Sequence, residues 1–208
     1  MGITDRKERE KQELTELILK EARAVFLEEG FEKTSIRKIA DRIEYSPTTI
    51  YLYFKDKNEL LLGLHQEAFT HLFAALSSVG SVPDAFDRLV ALGRSYIEYG
   101  LKNPEEYDLM FMLSAPMDAL DCRHEVWCDG ERAIDLVKSM VDDCKAHQYF
   151  PPEINTHSMA IMLWSTVHGL VSLHLKNRFA MFKDQMDIEK MIHDSFTLYV
   201  EFLKKFKS

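Results

Sequence analysis

The chain has 208 residues, a formal net charge of −8, and 46 % hydrophobic residues. That length accommodates a small head domain and a body of ordinary domain size with an ample core. The acidic balance argues against a protein that coats nucleic acid through a large basic surface. The opening residues, MGITDRKEREKQE, lack the apolar stretch of a secretory signal, so a cytoplasmic protein is expected.

The opening helix carries Leu14, Leu17, Ile18, Ala22, Val25 and Phe26 on one face, and Gly30 closes it. Two short helices joined by a tight turn follow in TSIRKIADRIEYSPTTIYLYFKDK, residues 34 to 57. Thr34 or Ser35 caps the first, and Ile36, Ile39, Ala40 and Ile43 form its buried stripe. Arg37, Lys38 and Arg42 fall away from that stripe, as compatible with plain solvation as with phosphate contact. Ser46 caps the second helix and Pro47 occupies its first position, where a missing N–H costs nothing. Ile50 and Phe54, one turn apart, anchor it. Thr48, Thr49, Tyr51 and Tyr53 remain to donate to phosphates or approach a groove. Lys33 to Lys57 holds 6 basic and 3 acidic residues, so positive charge is local to this segment. Salt-sensitive binding to DNA is expected from such a patch on an acidic protein.

The residues Thr34 or Ser35, Ile39-Ala40, Tyr45-Ser46, Ile50-Tyr51-Leu52-Tyr53-Phe54, Lys57 and Leu60 resemble the DNA-binding domain of the TetR family of transcriptional regulators. The resemblance implies that Thr34, Ser35, Arg37, Pro47, Thr48, Thr49, Tyr51, Tyr53 and Lys57 meet DNA, with Tyr51 on a phosphate. One departure stands out, because Glu44 occupies the turn where the family usually has glycine. A left-handed residue with a Cβ there costs roughly 1–2 kcal/mol, so either the turn differs slightly or the strain is tolerated.

Asp56 and Glu59 have capping-box spacing for a long helix through Leu60, Leu64, Ala68, Leu72 and Leu76, broken by Ser77 to Pro83. This helix is expected to join head and body as a lever. Further helices are expected over Asp84–Leu101, Pro104–Leu113, Asp121–Tyr149, Ile154–Asn177 and Asp187–Phe206, about nine in all. The stretch Met159–Leu175, though apolar, is interrupted by Ser165, Thr166, His168, Ser172 and His174 and reads as a buried helix, not a membrane span. Ala160, Ile161, Leu163, Trp164, Val167, Leu170, Val171 and Leu175 make a broad stripe, and Ile188, Met191, Ile192, Phe196, Tyr199, Phe202, Leu203 and Phe206 make another. The resemblance implies that these last two helices build a homodimer, which also suits a palindromic double-stranded operator.

The body is rich in methionine and aromatic side chains. Most belong to core, but Phe69, Phe73, Tyr96, Tyr99, Met110, Trp127, Trp164 and His168 are candidates to surround a small-molecule effector. Trp164, His168 and Gly169 resemble the Trp and His-Gly signature of one TetR C-terminal class. His168 is read either as orienting a polar ligand group or as a satisfied core histidine, and Gly169 as permitting close helix approach. Cys122, His124 and Cys128 lack a convincing fourth ligand, so no metal or other cofactor is expected. No phosphate-binding glycine loop, Gly-x-Ser-x-Gly elbow or His-Glu-x-x-His motif occurs, and an enzyme is not expected.

The resulting expectation is an all-α protein. Residues 1–57 form a three-helix helix-turn-helix DNA-binding domain, and residues 58–208 form a helical effector-binding and dimerisation domain. The function expected is a ligand-responsive regulator, in the family's commoner mode a repressor released by a small apolar or amphipathic molecule. The alternative is a helical protein-interaction module without sequence-specific DNA binding.

Overall fold

The computed structural model describes residues 3–113, 128–184 and 186–206, and every regular element among them is helical. Helix α1 (Ile3–Glu29) is 27 residues long, about 40 Å at 1.5 Å per residue. It buries Ile18, Ala22, Val25 and Phe26 completely, while Leu17 stays partly open. Gly30 ends it at φ 83°, its N–H on the Phe26 carbonyl at 2.9 Å, the left-handed stop that glycine takes without steric cost.

Helix α2 (Ile36–Arg42) is capped by Ser35, whose Oγ accepts from the Lys38 N–H. Thr34 acts differently, being buried with its hydroxyl donating to the Gly30 carbonyl at 2.9 Å. The turn after α2 is left-handed at Glu44, φ 59°. Two hydrogen bonds close it, Tyr45 N–H to Ala40 O at 3.0 Å and Glu44 N–H to Asp41 O at 3.4 Å. This is a Schellman stop with a glutamate in the glycine position. Helix α3 (Pro47–Tyr51) starts at once under Ser46, which accepts from the Thr49 N–H. Its Ile50 is fully buried and packs α3 onto α2.

Helix α4 (Lys57–Ser77) opens on Asp56, which accepts from the Glu59 N–H at 2.9 Å, while Glu59 reaches back to the Lys55 N–H. It then runs unbroken to a 3-10 turn at Ser78–Ser81. Helices α5 (Ala85–Lys102) and α6 (Pro104–Phe111) follow, then α7 (Cys128–Ala146), α8 (Thr156–Leu175) and α9 (Ile188–Lys204). Asp84, Asn155 and Asp187 are the side-chain caps of α5, α8 and α9. The expected start of the α7 helix at Asp121 lies outside the described residues, as does the Ala115-Pro116 break.

The chain divides into two compact units. The first comprises residues up to Phe69 together with those from Glu105, and the second comprises Thr70–Pro104 and the residues from Asp129 onward. The division therefore does not follow a single cut after residue 57. In the first unit Arg23 of α1 reaches Glu67 of α4 at 2.8 Å and Glu106 of α6 at 3.7 Å. Phe69 meets Phe111 edge to face with centroids 5.7 Å apart. His65 is buried beside the Leu109 backbone, and desolvation pushes its pKa down to about 4.

In the second unit α5 packs chiefly on α8, and α9 packs on α8 as well. Gly93 is what lets α5 and α9 approach: a Cβ there would stand 2.7 Å from Phe196 Cζ. A Cβ at Gly169 would meet nothing within 4 Å among the described residues, so within the chain the close approach falls at Gly93 and not at Gly169. Helix α8 is long and apolar enough to cross a membrane by length and composition, yet only 28 % of its most apolar window is buried. The expectation of a buried helix is met on one face only. Cys144 is enclosed, its thiol pushed up to about 12 chiefly by burial. Cys122 and His124 lie outside the described residues.

Candidate DNA-binding surface and effector pocket

The α2–turn–α3 segment presents a short helix whose backbone is fixed at both ends. Ser46 Oγ also pairs with Thr49 Oγ1 at 2.9 Å, so Thr49 is tied into the cap. Thr48 and Tyr51 project outward, Tyr51 at 55 % exposure, and Leu52 beyond them is 77 % exposed. Pro47 and Tyr53 are half-buried at either end. Among the cations, Lys38 is tied to Glu29 and Arg42 to Glu28, while Arg37 is exposed with no ion pair among the described residues.

Lys57 does not extend toward that face. Its ammonium group donates to the carbonyls of Phe31 (2.8 Å), Thr34 (3.2 Å) and Glu32 (3.4 Å), and it lies 4.3 Å from the centre of the Phe31 ring. A cation held by three carbonyls and a ring fixes the α1–α2 loop, so without DNA Lys57 is engaged behind the face and is not extended from it. Thr34 is likewise engaged, its buried hydroxyl donating to the Gly30 carbonyl.

The second unit contains an apolar slot of about 510 Å³ including its open mouth. Leu92 and Gly93 of α5, Leu163 and Val167 of α8, and Phe196 and Val200 of α9 are among its walls. Its polar edge is a short relay. Trp164 Nε1 donates to the Tyr96 hydroxyl at 3.1 Å, and that hydroxyl lies 3.0 Å from His168 Nδ1. Trp Nε1 can only donate, so the Tyr96 oxygen accepts from it, and the Tyr96 hydroxyl and His168 Nδ1 share the second hydrogen bond. Burial lowers the pKa of His168 and so favours its neutral form. The Tyr199 hydroxyl also borders the slot, cut off from water, and desolvation raises its pKa.

Residues 18–64 match the family described as bacterial regulatory proteins, tetR family. Residues 89–196, just over half the chain, match the tetracyclin repressor-like C-terminal domain. The chain belongs to the TetR family. It is accordingly a DNA-binding transcriptional regulator. Several solved structures share the fold. The fatty acid degradation regulator FadR from Bacillus halodurans is 20 % identical, with TM-score 0.70 over 89 % of this chain and 94 % of that one. The regulator PfmR from Thermus thermophilus is 20 % identical, with TM-score 0.67 over 88 % and 97 %. FadR from Bacillus subtilis, solved in complex with stearoyl-CoA, is 14 % identical, with TM-score 0.69 over 91 % and 97 %. No curated protein matches the chain in sequence.

Within this TetR member, the expected DNA-facing residues separate into two groups. Arg37, Thr48 and Tyr51 are exposed, with Thr49 and Tyr53 partly so. Ser35 and Pro47 form helix starts, and Thr34 and Lys57 hold the loop behind them. Of the expected effector residues, Tyr96 and Trp164 border the slot and His168 joins them through the Tyr96 hydroxyl. Tyr99 is buried and Phe73 half-buried, and neither lines it. Phe69 and Met110 belong to the first unit, where Phe69 packs on Phe111, so the slot does not include them. Trp127 lies outside the described residues. Gly93 and Phe196 were missed as wall residues because nothing in their local sequence separates a pocket lining from packed core.

Proposed function

We propose that this TetR regulator is a homodimeric repressor whose two α3 helices read a palindromic operator and which an apolar or amphipathic small molecule releases. The observation that carries the reading is the α3 surface. A helix pinned by Ser46 at its start and by buried Ile50 and Phe54 behind it turns Thr48 and Tyr51 outward, with no ion pair to hold Arg37 back among the described residues. Such short hydroxyl and phenol groups enter a groove without the desolvation cost of a carboxylate. Residues 1–57 then carry operator recognition, and residues 58–208 carry effector binding and dimerisation.

The dimer surface in this reading is the outer face of α8 and α9, where Ile161, Met162, Leu173, Leu198 and Phe202 are each 43–59 % exposed. Apolar area of that extent on two adjacent helices favours a second copy over water. The effector class follows from the slot and from a relative. The slot is apolar, with a Tyr96–Trp164–His168 edge, and the B. subtilis FadR relative was solved with stearoyl-CoA. The slot is walled by α5, α8 and α9, so an occupant that packs against all three favours one arrangement of them over another. That difference in affinity is what shifts a regulator between states.

A gel shift with the DNA flanking the protein's own coding region, with and without long-chain acyl-CoA, tests the proposal. A shift at low salt that acyl-CoA abolishes is expected, and Tyr51→Phe should weaken it roughly tenfold, the loss of one hydrogen bond to a charged phosphate. Absence of a shift on every fragment sinks the DNA-binding reading. Retention of the shift at saturating acyl-CoA removes that effector class.

A further inference from the structure

The family match begins at residue 18, but α1 begins at Ile3, so about four helical turns precede the matched segment. These turns are not an isolated spike. Lys7, Lys11, Leu14 and Leu17 border a groove whose other wall is Tyr45 and Tyr53. Tyr45 immediately precedes the cap of α3, and Tyr53 lies two residues beyond its last turn. The extension therefore lies beside the two flanks of the helix proposed to read bases. Lys7 and Lys11 are one turn apart, both exposed, and neither has an ion pair among the described residues.

The charge on the groove has a definite arrangement. Glu10 and Glu13 border it too, but Arg6 holds Glu10 at 2.7 Å and Arg9 stands 3.6 Å from Glu13. Each of these two carboxylates is thus paired along the helix with an arginine, which leaves Lys7 and Lys11 as the unpaired charges bordering the groove. Two lysines on one wall and two tyrosines on the other suit phosphate oxygens, which accept from ammonium and hydroxyl groups alike.

We infer that Lys7 and Lys11, with Tyr45 and Tyr53, form a second contact to the DNA sugar-phosphate backbone flanking the groove entered by α3. This inference rests on the DNA-binding reading above and adds affinity without sequence preference. The extension supplies backbone contacts from α1, so the affinity for any duplex rises while the choice among duplexes stays with α3.

The test uses the full chain and a duplex that the wild-type protein itself selects from a random-sequence library. Its affinity is measured from 50 to 200 mM salt for the wild type and for the Lys7→Ala/Lys11→Ala variant. Loss of two phosphate contacts lowers the slope of log affinity against log salt by roughly 1.8 and weakens binding roughly tenfold or more near 100 mM. The loss should be uniform across selected and scrambled duplexes, and Arg6→Ala should change the slope less. A variant with the wild-type slope overturns this inference alone. A loss confined to the selected sequence also overturns it, because it assigns the lysines to base reading. A wild-type protein that selects no duplex overturns the DNA-binding reading itself, and this inference with it.

Discussion

The first and second units hold themselves together by different means. In the first, the decisive contacts are polar and mostly local, with Ser35, Ser46 and Asp56 on helix N-termini and the Schellman turn at Glu44, joined by one polar tie across the sequence, Lys57 on three carbonyls. In the second, they are packing contacts between residues distant in sequence, with Gly93 against Phe196 and Tyr96 joined to Trp164 and His168. The contrast fits the two roles. A surface that reads DNA gains from a rigid backbone, since its contacts are few and directional. A body that answers a ligand gains from helices that can change their packing.

The largest expected effect bears on the buried polar groups of the first unit. His65 is held neutral by burial, with its pKa lowered from 6.5 to about 4. Unfolding lets it take up a proton between those values, so stability is intact above pH 6.5 and falls as the pH drops toward 4. This contribution amounts to about 3 kcal/mol. Chemical denaturation at pH 7 and pH 4.5 checks it, with His65→Gln flattening the difference; an unchanged pH slope in the variant would place the loss elsewhere.

Next in size is Lys57→Ala, which strips the α1–α2 loop of its shared donor and should cost roughly 2–3 kcal/mol in protein without DNA. A lysine that served only phosphate would leave the DNA-free melting temperature alone, so this melt separates the two roles. For the second unit the counterpart is Gly93→Ala, where a methyl pressed on the Phe196 ring should cost about 1–3 kcal/mol and narrow the slot. If the Phe196 ring moves aside freely the cost vanishes, and packing there is looser than the contrast requires. The smallest effect has the opposite sign. Glu44→Gly relieves the left-handed strain at φ 59° and should stabilise the protein by about 1 kcal/mol, read as a raised denaturation midpoint.

Much of the head was legible in the sequence because its signals are local. Ser46-Pro47, Asp56 with Glu59, and Ile50 with Phe54 each declare a helix start or a buried turn within a few residues. Glu44 was legible as an oddity for the same reason, and the structure resolves it as a glutamate in the glycine conformation, not as a changed turn. The loop-holding role of Lys57 was not legible because its partners, Phe31, Glu32 and Thr34, lie 23–26 residues away. The slot was the least legible part. Of the expected aromatic residues, Tyr96 and Trp164 line it, while Phe69 packs in the other unit.

By itself the sequence determined the helical class, the capped α2–turn–α3 segment, the resemblance to TetR regulators and the net positive charge of the stretch from Lys33 to Lys57. Caps, turn residues and hydrophobic period act over one or two helical turns and can be read from neighbours alone. Tertiary structure alone decided which apolar side chains line a slot and which fill core, which cations stay unpaired, which glycine brings two helices together, and that the first turns of α1 lie beside α3. Those outcomes depend on which helix faces meet, and residues brought together from distant parts of the chain leave no mark in its local order.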